Sequence, residues 1–331
     1  MRASARPALL LCVIACAGST RLAGARWEPV TAGTAADLRA LTAVSERVAW
    51  ASGTAGTWLR TIDGGASWQS GVVPGVTQDF RSLVAFSADR ALLLTAGSPA
   101  RLFRTLDGGK SWTEVFHDDR KEIFFDSMAF GDERRGWAVG DPVEGKFAFI
   151  ATDDGGATWR ARPGPPAEKG EAAFAASNSC IRAMGNELWF ATGGTISRVF
   201  RSRDGGLTWL ASQVPAPVGD TSGLFSLAMR DERFGAVVGG DYKRPEAPGF
   251  FATTADGGAT WQVGPLPPGF RSSVAWYETT IVVTGPTGTD WTPNGATPFH
   301  HLGDGFNALA FAGRVGFAVG PAGRVARLTP P

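Results

Sequence analysis

One octapeptide occurs five times in the chain and constrains the fold more than any other feature. Each copy reads Ser/Thr, any residue, Asp, Gly, Gly, any residue, Ser/Thr, Trp. Its aspartates are Asp63, Asp107, Asp154, Asp204 and Asp256, and its tryptophans are Trp68, Trp112, Trp159, Trp209 and Trp261. Successive aspartates lie 44, 47, 50 and 52 residues apart. Such a period, with strand-like segments between the motifs, is typical of a β-propeller with one four-stranded blade per repeat.

The motif itself predicts a tight turn between two strands. The two glycines supply positive φ angles, and the aspartate carboxylate accepts backbone N–H groups inside the turn. The Ser/Thr hydroxyls tie the ends of the turn together, and the tryptophan begins the outermost strand and packs between blades. We therefore interpret these aspartates and tryptophans as structural residues and not as a catalytic or metal site.

The spacing of the remaining strands predicts seven blades, with eight as the alternative. Innermost strands are expected to begin near Leu38, Phe80, Phe124, Ala172, Leu224, Phe270 and Phe306. The sixth blade keeps a degenerate motif in which Pro293 replaces the aspartate, and the seventh offers only three strands. We expect residues 27–30 to supply its fourth strand, which joins the chain ends and removes a free sheet edge. The predicted fold is all-β, a single seven-bladed β-propeller of four-stranded antiparallel blades over residues 27–331.

The repeat resembles the Asp-box, or BNR, repeat of sialidases, sortilin-type receptors and the photosystem II stability and assembly factors. The segment Val48-Ala-Trp50-Ala-Ser-Gly53, followed by Trp58-Leu-Arg-Thr61 and then the box, is most similar to the assembly-factor branch and its relatives in non-photosynthetic bacteria. This resemblance implies a scaffold without catalysis that binds a membrane-protein complex or its precursor.

The N-terminus is typical of an export signal. Arg2 and Arg6 precede a short apolar run that ends at Ala15, as in a secretory signal peptide. The run is too short to span a bilayer, which needs about 20 apolar residues. We therefore expect export to the periplasm or cell envelope.

Two cleavage sites compete in this signal. Residues 13–16 resemble a bacterial lipobox, which predicts a signal peptide over residues 1–15, a lipidated Cys16 and a tether over residues 16–26. Lipidation of Cys16 would anchor the protein to a membrane. The alternative is ordinary cleavage after Ala25, within the small-residue pattern Ala23-Gly24-Ala25.

Propeller topology places a candidate binding site on the face opposite the Asp boxes, at the mouth of the central channel. Aligning the innermost strands predicts one mouth residue per blade: Arg39, Arg81, Asp126, Glu171, Phe225, Arg271 and Asn307. Two charged loops add Asp141 and the run Asp241, Tyr242 and Lys243. Arginines bind carboxylates and phosphates bidentately, so this mouth predicts a site for a protein partner or an acidic ligand or glycan. The alternative is that its charges only pair with one another.

The same mouth leaves a glycoside hydrolase as the alternative function. Hydrolysis needs two carboxylates about 5 to 10 Å apart, and the candidates are Asp126, Asp141, Glu171 and Asp241. Arg39, Arg81 and Arg271 could imitate the arginine triad of a sialidase. The Arg-Ile-Pro signature of sialidases is missing, and Tyr242 has no glutamate beside it in the sequence.

Composition and motifs exclude several other functions. The 32 Lys and Arg nearly balance the 31 Asp and Glu, which argues against a nucleic-acid partner. The sequence has no cluster with metal-ligand spacing, no phosphate-binding loop and no dinucleotide fingerprint. We expect a monomer without a metal or cofactor.

Overall fold

The computed structural model describes residues 22–329, and the regular structure in this range is β-strand. Seven antiparallel four-stranded blades form a ring in which each innermost strand contacts the innermost strand of the next blade, and the last contacts the first. Two short strands extend the sheet of one blade to six strands. The predicted seven-bladed β-propeller is confirmed. Between residues 22 and 329 no helix is long and apolar enough to cross a membrane.

The strands of each blade are named A to D from the channel outward. The A strands are Leu38–Ala43, Phe80–Ala85, Phe125–Phe130, Ile181–Met184, Gly219–Met229, Ser273–Tyr277 and Ala308–Ala312. The B strands are Ala49–Gly53, Ala91–Thr95, Gly136–Val143, Glu187–Ala191, Gly235–Asp241, Thr280–Gly285 and Val315–Val319. The C strands are Thr57–Thr61, Ala100–Thr105, Lys146–Thr152, Arg198–Ser202, Phe250–Thr254, Gly288–Thr292 and Val325–Leu328. The D strands are Gln69–Val72, Thr113–Asp118, Arg160–Ala161, Leu210–Gln213, Gln262–Val263, His300–Gly303 and, in blade 7, Trp27–Val30.

The N-terminal strand closes the ring as predicted. Trp27–Val30 pairs antiparallel with Val325–Leu328, with Trp27 opposite Leu328 and Val30 opposite Val325. The packed chain begins before this strand, because Leu22 is buried in the core shared by blades 6 and 7, beside Tyr277. The end of the predicted tether is therefore part of the folded body, while the predicted signal peptide and the predicted lipidation site Cys16 lie outside the described residues.

The Asp boxes form the predicted hydrogen-bonded turns. In the first box, Asp63 accepts hydrogen bonds from the Ser67 hydroxyl and backbone N–H, at 2.5 and 3.0 Å, and from the Thr61 hydroxyl at 2.8 Å. These bonds, the one from the Ser67 hydroxyl foremost, lower the pKa of Asp63 to about 2. Gly64 and Gly65 follow with φ of 76° and 85°, which glycine adopts without strain.

The box tryptophans pack between blades, also as predicted. Trp68 meets Phe317 of blade 7 edge to face at 6.1 Å between ring centroids, and Trp209 meets Phe149 of blade 3 at 5.3 Å. In the degenerate sixth box Asn294 takes the role of the aspartate, since its Oδ1 accepts the backbone N–H groups of residues 296 and 297.

The predicted start of blade 4 near Ala172 was wrong. Its A strand is Ile181–Met184, and the short strand Glu171–Ala172 instead pairs with Gly193–Gly194, which extends the sheet of blade 5. The small and apolar residues of 172–176 imitate a strand in sequence, but they form a connecting segment that enters the channel. Residues 173–179 are called the plug segment below.

Candidate functional site

Four of the mouth positions owe their shared geometry to a β-bulge in the A strand. Register shifts place Arg39, Arg81, Asp126 and Phe225 in equivalent bulges of blades 1, 2, 3 and 5. A bulge leaves one residue unpaired in the ladder and re-aims its side chain. These four residues therefore occupy equivalent positions in their blades, and Asn307 directly precedes the A strand of blade 7.

Two arginines at the mouth remain accessible. Arg39 donates to Asp37 Oδ2 at 2.7 and 3.0 Å, and Arg81 lies 3.6 Å from Asp79. The two arginine side chains are 32% and 35% exposed. Asn307 Nδ2 donates to the other carboxylate oxygen of Asp37 at 2.7 Å. Exposed ion pairs of this kind contribute little to stability, so each guanidinium can engage a further carboxylate.

Arg271 does not line the mouth, contrary to the prediction. It is 1% exposed and donates to Asp290 Oδ2, at 3.1 Å from Nε, and to the Thr287 hydroxyl at 2.8 Å. In blade 6, Ser273 pairs with Thr284, so Ser272 takes the position that is equivalent to the mouth residues of the other blades. Arg271 lies one residue before that position. Arg271 is thus held in a buried ion pair inside one blade.

Glu171 is likewise misplaced by the sequence alignment. Its side chain is buried, is paired bidentately with Arg198, and accepts a hydrogen bond from the Thr192 hydroxyl at 2.6 Å. Because it precedes the plug segment, Glu171 is not on an A strand. It fixes the start of the plug segment to blade 4.

Asp126 and Asp141 hold the plug segment from blade 3. Asp141 accepts the Ala173 N–H at 3.2 Å. The buried carboxyl of Asp126 lies next to the Ala175 N–H, which opposes the rise in its pKa. Burial raises the pKa of Asp141 to about 6. Burial, together with the charge of Asp141, raises the pKa of Asp126 well above its ordinary value. Both carboxyls therefore serve an internal contact.

The tip of the plug segment closes the channel with hydrogen bonds to several blades. Asn178 Oδ1 accepts the Ser82 hydroxyl at 2.5 Å and the Leu83 N–H at 3.2 Å, and its Nδ2 donates to the Leu83 carbonyl at 2.6 Å. The Ser177 hydroxyl donates to the Ser272 carbonyl in blade 6, and Ser179 bonds Ser226 in blade 5. Sequence reasoning missed this plug, although a Ser-Asn-Ser run inside an expected apolar strand was a signal for it.

Hydrogen bonds to Asp241 also hold the charged loop of blade 5 in place. Asp241 accepts the Thr221 hydroxyl at 2.7 Å and Arg244 Nε at 2.8 Å. Tyr242 is 44% exposed, and the Lys243 ammonium lies 5.5 Å from its ring centroid. Of the four carboxylates considered for hydrolysis, two are therefore paired with arginines and two anchor the plug segment. In residues 22–329 no group of three or more His, Cys, Asp or Glu side chains could hold a metal ion.

The fold and the box turns define the class of this protein, an Asp-box propeller whose channel is plugged by its own chain. The family model described as photosynthesis system II assembly factor YCF48 matches residues 20–122. No curated protein sequence matches the chain. The resemblance to the assembly-factor branch is therefore confirmed over residues 20–122, about a third of the chain.

Solved structures with the same fold cover most of the chain. A structure described as YCF48 bound to D1 peptide is 15% identical, covers 92% of this chain and 97% of its own, and superposes with a TM-score of 0.65. YCF48 from Cyanidioschyzon merolae is also 15% identical, with coverages of 92% and 99% and a TM-score of 0.67. Virginiamycin B lyase from Staphylococcus aureus, 13% identical, covers 93% of this chain and 100% of its own with a TM-score of 0.65. At this identity the similarity shows the fold alone, and a shared fold does not imply a shared function.

Proposed function

We propose that this chain is a non-catalytic scaffold that binds a protein partner during the assembly of a membrane complex. The observation that carries the proposal is the match to the YCF48 family model, together with a fold shared with a YCF48 that holds a D1 peptide. Two of the four candidate carboxylates are paired with arginines and the other two lie against the plug segment, which supports binding over hydrolysis.

The accessible arginines of the mouth are the proposed contact for this partner. Arg39 and Arg81 occupy equivalent bulges in adjacent blades, and each has a partly exposed aspartate beside it, Asp37 and Asp79 respectively. Tyr242 and Lys243 extend the same face from blade 5. Such a surface favours a partner segment that carries carboxylates, because arginine binds them with paired hydrogen bonds.

We also propose that the protein is exported and anchored through a lipid on Cys16. The burial of Leu22 supports the lipobox, because cleavage after Ala25 would remove a side chain that is 1% exposed in the core. Replacing Cys16 with Ser should move the protein from the membrane fraction to the soluble envelope fraction. Retention on membranes after this change would contradict the anchor.

The binding proposal is tested by affinity purification of the tagged protein from detergent-solubilised native membranes. The test variant is Arg39→Glu/Arg81→Glu. The matched control is Arg160→Glu/Arg162→Glu, which makes the same charge change at two exposed residues of blade 3. Circular dichroism and thermal melting verify that both variants fold.

We expect a stoichiometric partner with the wild type and the control, and at least a tenfold loss with the test variant. If all three proteins retained the partner, the binding site would have to lie outside the mouth. Absence of any partner with the wild type would contradict the scaffold function itself.

A further inference from the structure

The channel has a second opening on the Asp-box face, at the end opposite the mouth. A cavity of about 590 Å³ lies between this opening and the plug residues 177–179. The A strands run from the mouth towards the box face, so their C-terminal halves line the cavity. Its volume is within the range of small-molecule sites in proteins, about 300 to 1,000 Å³.

Seven register-equivalent residues, one from each blade, form a ring around this cavity. Each pairs with the equivalent residue of strand B in its blade, as Thr42 pairs with Trp50 in blade 1. The ring consists of Thr42, Val84, Ala129, Arg182, Ala228, Ala275 and Ala310. All seven line the cavity, and only Arg182 is charged. Small neighbours leave room for its long side chain in the bore.

Arg182 has no partner within the described part of the chain. It makes no ion pair or side-chain hydrogen bond there, and burial lowers its pKa from the ordinary value. The two acids that line the same cavity are already paired, Asp132 with Arg135 and Glu133 with Arg90. Arg182 is half-buried, and a partly desolvated charge without a partner is costly. Its guanidinium is therefore a cation in the cavity that is free for a ligand.

We propose that this cavity binds a small organic monocarboxylate with an apolar body, and that Arg182 binds its carboxylate. The aromatic side chains of Phe86, Phe130, Trp276 and Phe311 line the cavity and would contact the apolar body. A single guanidinium matches a single negative charge, and the carboxylates of Asp132 and Glu133 disfavour a doubly charged anion such as phosphate. The site is separate from the mouth and does not depend on the proposed partner.

Isothermal titration of the purified protein with 4-phenylbutyrate tests the proposal. The neutral 4-phenylbutyramide and inorganic phosphate serve as comparison probes. The variants are Arg182→Gln and Arg182→Lys, and the control is Arg160→Gln, which removes an exposed charge from the outer strand of blade 3. We expect the acid to bind at least tenfold more tightly than the amide, Arg182→Gln to abolish this preference, and Arg182→Lys to restore part of it.

Thermal melting separates a binding role from a structural one. Because Arg182 stabilises no described contact, Arg182→Gln should melt at the same temperature as the wild type or higher. Equal binding of acid and amide, tighter binding of phosphate, or no binding of the acid would overturn the proposal. A melting temperature lowered by several degrees in Arg182→Gln would also overturn it, since Arg182 would then be a structural residue.

Discussion

At the scale of single residues, the same residue type has opposite electrostatic environments on the two faces of the propeller. In the box turns hydrogen bonds lower the pKa of Asp63 to about 2, whereas burial at the mouth raises the pKa of Asp141 to about 6. A lowered pKa means that the charged form suits the fold, and a raised one means that the charge opposes it. The box carboxylates therefore stabilise the fold at neutral pH, and Asp141 does not.

Replacement of Asp141 by Asn should make the protein more stable at neutral pH. The pKa of Asp141 is raised in the folded state, so its contribution to stability falls as pH rises from about 4 to about 6. Asparagine keeps an oxygen for the Ala173 N–H and removes the charge. We expect a gain of roughly 1 to 3 kcal/mol at pH 7.5 and none near pH 4, measured by chemical denaturation. The control is Asp153→Asn, and parallel pH profiles for wild type and Asp141→Asn would contradict the assignment.

At the scale of elements, the plug segment determines what the channel can do. Its apolar residues pack near the mouth, where Phe174 stacks on Phe225 at 4.0 Å between centroids. Its polar tip bonds blades 2, 5 and 6 through Ser177, Asn178 and Ser179. One connection between blades thus separates the channel into a charged mouth and a cavity on the box face.

Substitution of Asn178 should show how much this plug stabilises the ring. Removing its side chain leaves the buried Leu83 N–H and Ser82 hydroxyl without their acceptor, which costs about 2 to 4 kcal/mol for the two groups together, while the Leu83 carbonyl keeps the Thr42 hydroxyl. Asn178 has a φ of 62°, so Asn178→Ala adds left-handed strain that Asn178→Gly avoids. We expect Asn178→Ala to be the less stable variant by about 1 kcal/mol in denaturation experiments. Wild-type stability in both variants would show that the plug is not a structural bridge.

At the scale of the whole molecule, ring closure depends on a strand from the opposite end of the chain. Trp27–Val30 completes blade 7, and Trp27 packs on Phe306 at 5.5 Å between ring centroids. Without this strand, Val325–Leu328 would present an unpaired sheet edge. Closure thus links the N-terminal and C-terminal segments in one cooperative unit.

A chain that begins at residue 31 should therefore lose stability and self-associate, compared with a chain that begins at residue 22. We expect the shorter chain to melt at a clearly lower temperature in calorimetry and to form oligomers through its open edge, as measured by light scattering. Equal melting temperatures and a monomer in both cases would show that blade 7 is stable with three strands.

Much of the fold was predictable from sequence because the box motif is local. Its hydrogen bonds join residues two to four positions apart, so each copy specifies its turn without help from the rest of the chain. Five such turns fix the period and hence the blades. Blade 4 was misplaced because segment 172–176 has the composition of a strand, and only its pairing partners decide that it is a connection.

The sequence by itself determined the seven-bladed propeller, its closure by residues 27–30 and the structural role of the Asp boxes. The tertiary structure decided which charges are accessible. It buried Arg271 against Asp290, paired Glu171 with Arg198, left Arg39 and Arg81 at the surface, and placed an unpaired Arg182 in the bore. The physical reason is the sequence distance over which the interactions act. The hydrogen bonds of a turn join residues within one octapeptide. The partner of a charged side chain depends instead on strand register and on segments that lie far away in the chain.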